Sequence, residues 1–374
     1  MPVLYILVGL LVVIVLALWL GTRRPGRQPE PSRHREIPPT PRQAPVAPPQ
    51  HTPDNAVTLQ RPAALDGFVR VRQEQLQAPE RDALLARLRT IPRPPKALHQ
   101  LVSPEFLNTA TSTALSDIVM GESLVAAKVL AMVNSPAYNL QNPVVGMGQA
   151  ITFLGMNTVR AICLRYLLDD AFRTPSHAGS SPFQPVWNAS TLGSELCFRV
   201  AQHWRMPEAG ALSTHVVLSF LGHLAATSLR APGTAQTAGS GFLERSQLEQ
   251  AQLGLSAAEI GTLLMTDWAL PAPLVADVRR IDHVLDAATP AQIQVALAYA
   301  SARLAECLAT DPNFDLAAFE PATDNPDWFH LHQTLGGAGV QRLLASLRTP
   351  SVGGAVQHMA RQLVTAAPSS SHNP

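Results

Sequence analysis

The sequence predicts an all-α fold, and three observations support this. Beyond residue 62, apolar residues recur every three to four positions, as they do on the buried face of a helix. No segment shows the strict alternation of apolar and polar residues that is typical of a half-buried strand. Proline and glycine cluster between the periodic runs, which predicts helices of ordinary length joined by turns.

Composition limits the classes of function. The chain has 374 residues, 46% of them hydrophobic, which is enough for at least one sizeable core. Its 28 basic and 27 acidic side chains give a net charge of +1, so no overall field favours nucleic acid as a partner. The three cysteines, Cys163, Cys197 and Cys307, lie far apart without a CxxC pair, which indicates buried thiols in a reducing compartment.

Residues 1–21 are predicted to form a transmembrane helix. They contain no charged side chain, and at about 1.5 Å per residue a helix of this length reaches roughly 31 Å, close to the hydrocarbon thickness of a bilayer. A cleaved signal peptide is the alternative, but it requires basic residues before the apolar run, whereas Arg23, Arg24 and Arg27 follow it. We therefore expect a retained anchor.

The arginines after this span also predict its topology. Basic residues prefer the cytoplasmic side of a membrane, so Arg23 and Arg24 are expected to hold the following chain inside and to leave the short N-terminus outside. Trp19 suits the interfacial belt at that end of the span. The sequence thus predicts a single-pass protein whose remaining residues are cytoplasmic.

Residues 22–62 are predicted to form a disordered linker. They contain 11 of the 33 prolines, seven arginines, three acidic residues and almost no large apolar side chains. Such a segment cannot bury enough surface to offset its ordering entropy, and its prolines favour extended geometry. PxxP ligands for an SH3-like domain, visible at residues 38–41 and 45–48, are the functional alternative to a spacer.

Periodic helical runs follow the linker to near the end of the chain. In the first half they are APERDALLARLRT, ESLVAAKVLAMV and AITFLGMNTVRAICLRYLL, and PLVADVRRIDHVL follows later. Residues 286–366 contain PAQIQVALAYASARLAECL, VQRLLASLR and GGAVQHMARQL, which predict a C-terminal helical extension that either completes the core or makes an interface. Residues 367–374 have the composition of a disordered tail.

Three motifs in order resemble the HDOD family. IPRPPKALHQL provides a proline-marked opening, VAAKVLAMVNSPAYN ends a helix in NSxxY, and VVGMGQAITFLGMNTVRAICL contains an A-I-x-x-L-G turn before a basic helix. The resemblance continues through VWNASTLGSELCFRVAQHW and through GLSAAEIGTLLMTDWALPAPLVADV, which carries W-x-L-P. It covers residues 80–285 and implies a helical HDOD domain.

The motif residues themselves predict helix ends and turns. Asn134 and Ser135 can bond backbone groups at a helix end, and Pro136 cannot continue the helix. Gly155 is expected to end one helix before a basic helix begins. The alternative is a partner-recognition surface around Asn134, Tyr138 and Arg160. The complete motif set is Asn134, Ser135, Pro136, Tyr138, Ala150, Leu154, Gly155, Arg160, Trp268 and Pro271.

The resemblance also bears on catalysis, because HDOD domains are related to HD phosphohydrolases, which hold divalent metals with scattered histidines and a His-Asp dyad. Alignment of LSFLGHLAATSL with the dyad region places Gly222 at the histidine and His223 at the aspartate. Ala189 and Ala257 stand at two further ligand positions, and RRIDHVL keeps only His283 of a frequent pair. One or two imidazoles cannot fix an ion and position its bound water.

The resemblance therefore implies a non-catalytic signalling protein of a bacterial inner membrane that acts through protein contacts. It would use no metal or other cofactor, and its partners would be cytoplasmic or membrane-bound signalling proteins. His223 is expected to be a helix histidine that meets a neighbouring group or water. The alternatives are a metal-dependent HD-type phosphohydrolase and a domain that senses a ligand such as a nucleotide.

Overall fold

The computed structural model describes residues 59–134, 140, 142–172, 182–230, 241–311 and 313–365. The predicted anchor (1–21), most of the predicted linker (22–62) and the predicted tail (367–374) lie outside these ranges, as do Ser135, Pro136 and Tyr138. Within the described ranges the regular structure is helical and contains no strand, so the predicted all-α class is confirmed.

Sixteen α-helices occur in the described part of the chain, together with 3₁₀ turns at Gln73–Gln75 and His283–Asp286 and a π-helical turn at Pro350–Gly354. In chain order they are α1 (Ala63–Asp66), α2 (Ala78–Leu88), α3 (Lys96–Leu101), α4 (Pro104–Thr109), α5 (Ser112–Met120), α6 (Ser123–Val133), α7 (Met147–Leu154), α8 (Met156–Phe172), α9 (Gln184–His203), α10 (Ala209–Leu229), α11 (Phe242–Leu253), α12 (Ala257–Asp267), α13 (Ala272–Asp282), α14 (Ile293–Thr310), α15 (Pro326–Arg348) and α16 (Ala355–Thr365).

Two apolar cores organise these helices. The first lies among α2 to α8 and includes one face of α10 and the apolar faces of α12 and α13. The second lies among α9, α14, α15 and α16 and includes the other face of α10. Burial of such faces supplies the main favourable term in folding. Helix α10 therefore joins both cores.

Helix α10 is long and apolar for this reason. By length and hydropathy it could cross a membrane, but 78% of its most apolar stretch is buried inside the protein. The bent pair α7 and α8 passes the same test only when counted as one span, and its two helices meet at 118°. Within the described part of the chain, α10 is thus a core helix, with one apolar core packed on each side of it.

The helical fold extends beyond the predicted HDOD region, residues 80–285, on both sides. Leu59 already packs against the second core and Leu65 is 1% exposed within it, so the final residues assigned to the linker belong to the fold. Residues 286–365 are also integral, since α14 packs closely along α9 and both contribute to the second core. The segments that flank residues 80–285 are required to cover the apolar side of α9.

Candidate functional site

His223 lies inside the molecule, near the junction of the two cores. It is on α10 and is 5% exposed. The centroid of its ring is 5.8 Å from that of Phe220 and 6.0 Å from that of Phe242. The two aromatic rings limit how the imidazole can turn and hold its edge towards polar neighbours on other helices.

Two buried carboxylates face the ring nitrogens of His223. Nε2 lies 3.5 Å from Oδ2 of Asp282, the last residue of α13, and Nδ1 lies 3.9 Å from Oε1 of Glu249 on α11. Both distances are long for hydrogen bonds and are typical of ion pairs. Neither carboxylate was predicted as a site residue from the sequence, although Asp282 directly precedes the candidate His283 in RRIDHVL.

These contacts shift the pKa values of all three groups. Burial and the charge of Arg245 lower the pKa of His223, but Asp282 and Glu249 outweigh both, so the pKa lies above its ordinary value. Burial raises the pKa of Asp282, but the charges of Arg303 and His223 outweigh it and the pKa falls well below the ordinary value. Burial likewise raises the pKa of Glu249, and His223 reverses the shift. The ionised forms of all three groups are therefore favoured.

Three arginines compensate the acidic charges around His223. Arg303 has Nη2 at 3.5 Å from Oδ1 of Asp282, and its guanidinium carbon lies 3.7 Å from the centroid of the Phe242 ring. Arg230 pairs with Glu249 at 3.1 Å. Arg245 pairs at 2.6 Å with Glu306 of α14. The cluster thus balances three guanidinium groups against three carboxylates before the charge of the imidazole is counted.

His283 belongs to a separate polar cluster, centred on Glu259. The Glu259 side chain is fully buried, lies 2.7 Å from Nε2 of His283 and accepts a hydrogen bond from Arg279. Burial raises its pKa, but His283, the backbone N–H of Gln73 and Arg279 lower it to about 2. His223 and His283 therefore do not share one site, because each faces different buried carboxylates.

The residues at the ligand positions of the HD phosphohydrolases do not fit a metal ion. Ala189 is buried in the second core and Ala257 in the first. The carboxylates beside His223 are already paired with arginines. Within the described ranges, no group of three or more His, Cys, Asp or Glu side chains is arranged to hold a metal ion.

Gly222 has a packing role that the sequence did not reveal. A Cβ atom built at Gly222 would overlap the backbone carbonyl of Ala257, and one built at Gly261 would lie 2.9 Å from Cα of Gly222. Helices α10 and α12 thus cross with their backbones in contact. The position aligned with the dyad histidine has no room for any side chain.

Asn134 does not act as a simple cap on its own helix. Its side-chain Nδ2 donates to the carbonyl of Val144 at 2.7 Å, and its Oδ1 accepts from the N–H of Val144 at 2.7 Å. This two-way pairing joins the end of α6 to the segment that precedes α7. Asn134 therefore has a structural role, because its side chain binds the backbone of a segment outside α6.

The A-I-x-x-L-G motif forms the sharp turn between α7 and α8. Gly155 ends α7 with φ of 86°, a conformation that L-residues rarely adopt, so the predicted helix-terminating glycine is confirmed. Ala150 is fully buried in the first core, and Leu154 packs partly against it. The motif therefore fixes the angle at which α8 leaves α7.

Arg160 does not lie on a recognition surface. It is 2% exposed, and its guanidinium donates to Oδ1 of Asn157 and to the carbonyl of Gly210 at the start of α10. Burial lowers its pKa to about 10. The alternative role in partner binding is therefore wrong for this residue, because its charge is used to join α8 to α10.

The W-x-L-P motif forms the C-terminal cap of α12. Ala269 has φ of 58° and donates its N–H to Thr266, while Leu270 donates to Met265, which together make a Schellman motif. Trp268 is 2% exposed in the first core and Pro271 precedes α13. The motif thus ends one helix and starts the next without a longer loop.

An open groove lies beside the Glu259 cluster. It has a volume of about 610 Å³ and runs between α12 and α13. Its lining includes the apolar side chains of Leu270 and Val275 and several polar ones, among them Arg72, Arg280 and His283.

The helical fold and the motif-built turns define the class of protein as an HDOD domain. A model of the HDOD domain matches residues 91–284, just over half of the chain. The chain belongs to the HDOD domain family.

Several solved structures are similar to this chain. An HDOD domain protein of unknown function from Geobacter sulfurreducens is 15% identical, with a TM-score of 0.52 over 75% of this chain and 98% of its own. A candidate phosphohydrolase of Shewanella amazonensis SB2B is 22% identical, with a TM-score of 0.49 over 75% and 98%. A candidate signal transduction protein of Marinobacter aquaeolei VT8 is 19% identical, with a TM-score of 0.48 over 79% and 64%. No curated protein matches the sequence significantly.

Proposed function

We propose that this chain is a non-catalytic HDOD signalling protein that acts through protein contacts at the inner membrane. The observation that carries the proposal is the use of the dyad region for packing. Gly222 lies at a backbone contact between two helices, and His223 is an internal partner of Asp282 and Glu249. Both residues aligned with the dyad thus make contacts inside the helical bundle, one by packing and the other by pairing with carboxylates.

A test of metal content and hydrolysis addresses this proposal directly. The purified full-length chain in detergent is expected to carry far less than one mole of iron, manganese or zinc per mole. It is also expected to hydrolyse neither cyclic dinucleotides nor bis-p-nitrophenyl phosphate above the buffer rate, because the ligand set for an activated water is missing. Elemental analysis and product assays measure the two quantities.

His223→Ala serves as the matched variant for that test. If the wild-type chain holds one transition metal per mole and loses it together with turnover in His223→Ala, the non-catalytic proposal is contradicted. A chain that lacks both metal and turnover before and after the substitution agrees with it.

The membrane tether is the second part of the proposal. Residues 1–21 are uncharged and are followed by arginines, and a tether raises the effective concentration of the domain for membrane-bound partners. The chain is expected to stay with membranes after carbonate extraction, whereas a variant that begins at residue 22 is released. A reporter fused after residue 30 is expected to give a cytoplasmic signal. Release of the full chain by carbonate would contradict the anchor, and a periplasmic reporter signal would reverse its topology.

A further inference from the structure

Residues 68–74, which we call the strap, cross the ends of α11, α12 and α13. Residues 68–72 are non-helical, and the strap ends in the 3₁₀ turn Gln73–Gln75. Its backbone is bound by a single side chain of α11. The amide of Gln250 donates from Nε2 to the carbonyl of Val69 at 2.9 Å and accepts from the N–H of Val71 at 2.8 Å. Gln250 is thus a two-point clamp on extended backbone, as found when a protein binds a peptide.

Arg70 inserts between these two backbone contacts into a polar pocket, and its side chain is 1% exposed. Nε donates to Oδ1 of Asp286 at 2.9 Å, Nη1 to Oγ of Ser256 at 2.7 Å, and Nη2 to the carbonyl of Asp282 at 3.1 Å. All three nitrogens are therefore satisfied by acceptors on the bundle, in the fixed fork geometry that makes arginine specific.

The aromatic residue of the strap precedes this arginine by two positions. Phe68 is 7% exposed in the second core, and the guanidinium carbon of Arg70 lies 5.4 Å from the centroid of its ring. Val69 between them is 75% exposed. The strap thus presents alternate residues, Phe68 and Arg70, to the bundle.

The C-terminal part of the strap is held by the Glu259 cluster. The N–H of Gln73 donates to Oε2 of Glu259 at 2.9 Å, and Arg279 donates two hydrogen bonds to the carboxylate of Glu74 at 3.0 and 3.1 Å. Arg72 and Gln73 also form one wall of the groove of about 610 Å³. Apart from Phe68 in the second core and Val71, which packs against the first, the contacts described for the strap are polar. Segments with few apolar contacts open more readily than packed helices.

We propose that the pocket of Gln250, Ser256 and Asp286 is a peptide-binding site that the strap occupies in cis. A partner protein would occupy it in trans with an extended segment that carries an aromatic residue two positions before an arginine. This inference deepens the proposed function and rests on it, because it names the chemistry of the partner contact. Replacement of the strap by a partner segment would perturb the buried cluster around His223, because Arg70 contacts the backbone of Asp282, whose carboxylate faces His223.

Binding of a labelled peptide to the full chain tests the proposal. The probe is a fluorescein-labelled peptide with the sequence of residues 66–75, DGFVRVRQEQ. In the wild-type chain the strap competes for the site, so the apparent affinity is reduced by the fraction of open molecules. The variant Arg70→Ala weakens the strap and is expected to bind the peptide at least ten-fold more tightly than the wild type.

Two matched controls define the specificity. Arg81→Ala removes the same charge from an exposed residue of α2 that lies outside the strap and the groove, and it is expected to bind the peptide like the wild type. A peptide that carries Arg70→Ala is expected to bind none of the chains. An Arg70→Ala chain that melts cooperatively and still binds no wild-type peptide overturns the proposal, as does equal binding by all chains.

Hydrogen exchange of the unmodified wild-type chain keeps the proposal testable if Arg70→Ala fails to fold. The amides of Val71 and Gln73 are expected to exchange at least a hundred-fold faster than the slowest amides of α9 and α10, through local opening of the strap. Exchange of both sets only through global unfolding shows that the strap cannot be displaced and overturns the proposal. Neither assay involves metal or turnover, so failure here is distinct from failure of the non-catalytic assignment.

Discussion

Gly222→Ala is expected to lower the free energy of unfolding by about 3 kcal/mol, at the upper end of the range for overpacked cores. The added methyl group would overlap the carbonyl of Ala257 on α12. Gly261, also on α12, already lies against the backbone of Gly222. Backbone atoms cannot rotate away as a side chain can, so α10 and α12 must separate. Denaturant unfolding monitored by circular dichroism measures the loss.

Gly148→Ala is the control for this substitution. It lies in α7, is exposed, and a Cβ atom there meets nothing within 4 Å. Its stability is expected to be unchanged or slightly higher, because alanine favours the helix over glycine. If Gly222→Ala unfolds at the same denaturant concentration as this control, the close crossing of α10 and α12 is not present in solution.

The same crossing predicts the result of restoring the dyad. The pair Gly222→His and His223→Asp replaces the residues aligned with the dyad, but the imidazole at position 222 has no space beside Ala257. The aspartate at position 223 would add a third acidic group to Glu249 and Asp282. We expect a destabilised protein without hydrolytic activity, for steric and electrostatic reasons as well as for lack of other ligands.

His223→Ala is expected to cost about 2–3 kcal/mol of stability, because it leaves two buried carboxylates without their shared partner. Arg303 and Arg230 still face Asp282 and Glu249, which keeps the loss below that of a wholly unpaired charge. His203→Ala, on an exposed residue at the end of α9, is the control and is expected to unfold like the wild type.

The pH dependence of this effect has a definite sign. The pKa of His223 is raised in the folded protein above its ordinary value of 6.5. The charged imidazole therefore stabilises the fold fully below pH 6.5, and this contribution is lost as the pH rises through the raised pKa. The difference in the free energy of unfolding between the wild type and the neutral variant His223→Gln is expected to narrow as the pH rises through the raised pKa of His223. A difference that grows with pH would show that the imidazole is neutral in the fold.

Local patterns were enough to predict many of the turns and helices. Gly155 was predicted as a helix-ending residue because a left-handed backbone favours glycine, and the structure gives it φ of 86°. The periodic runs predicted helices such as α6 and α14, since burial of one face requires a repeat of three to four residues. These features depend on residues that are close in sequence.

The partners of the buried polar groups depend on residues that are distant in sequence. Arg160 was considered for a surface, but it bonds the carbonyl of Gly210 inside the bundle. The backbone pairing of Asn134 with Val144 and the pocket around Arg70 join segments on different elements. Periodicity shows that a face is buried but does not show which charge on another helix meets it.

The sequence by itself determined the helical class, the HDOD family motifs and the absence of ligand-bearing side chains at positions 189, 222 and 257. Only the tertiary structure decided that Gly222 lies at a backbone contact and that His223 joins Glu249 and Asp282. The physical reason is that local propensity acts over one or two turns of helix, whereas close packing and charge pairing depend on how distant helices approach each other.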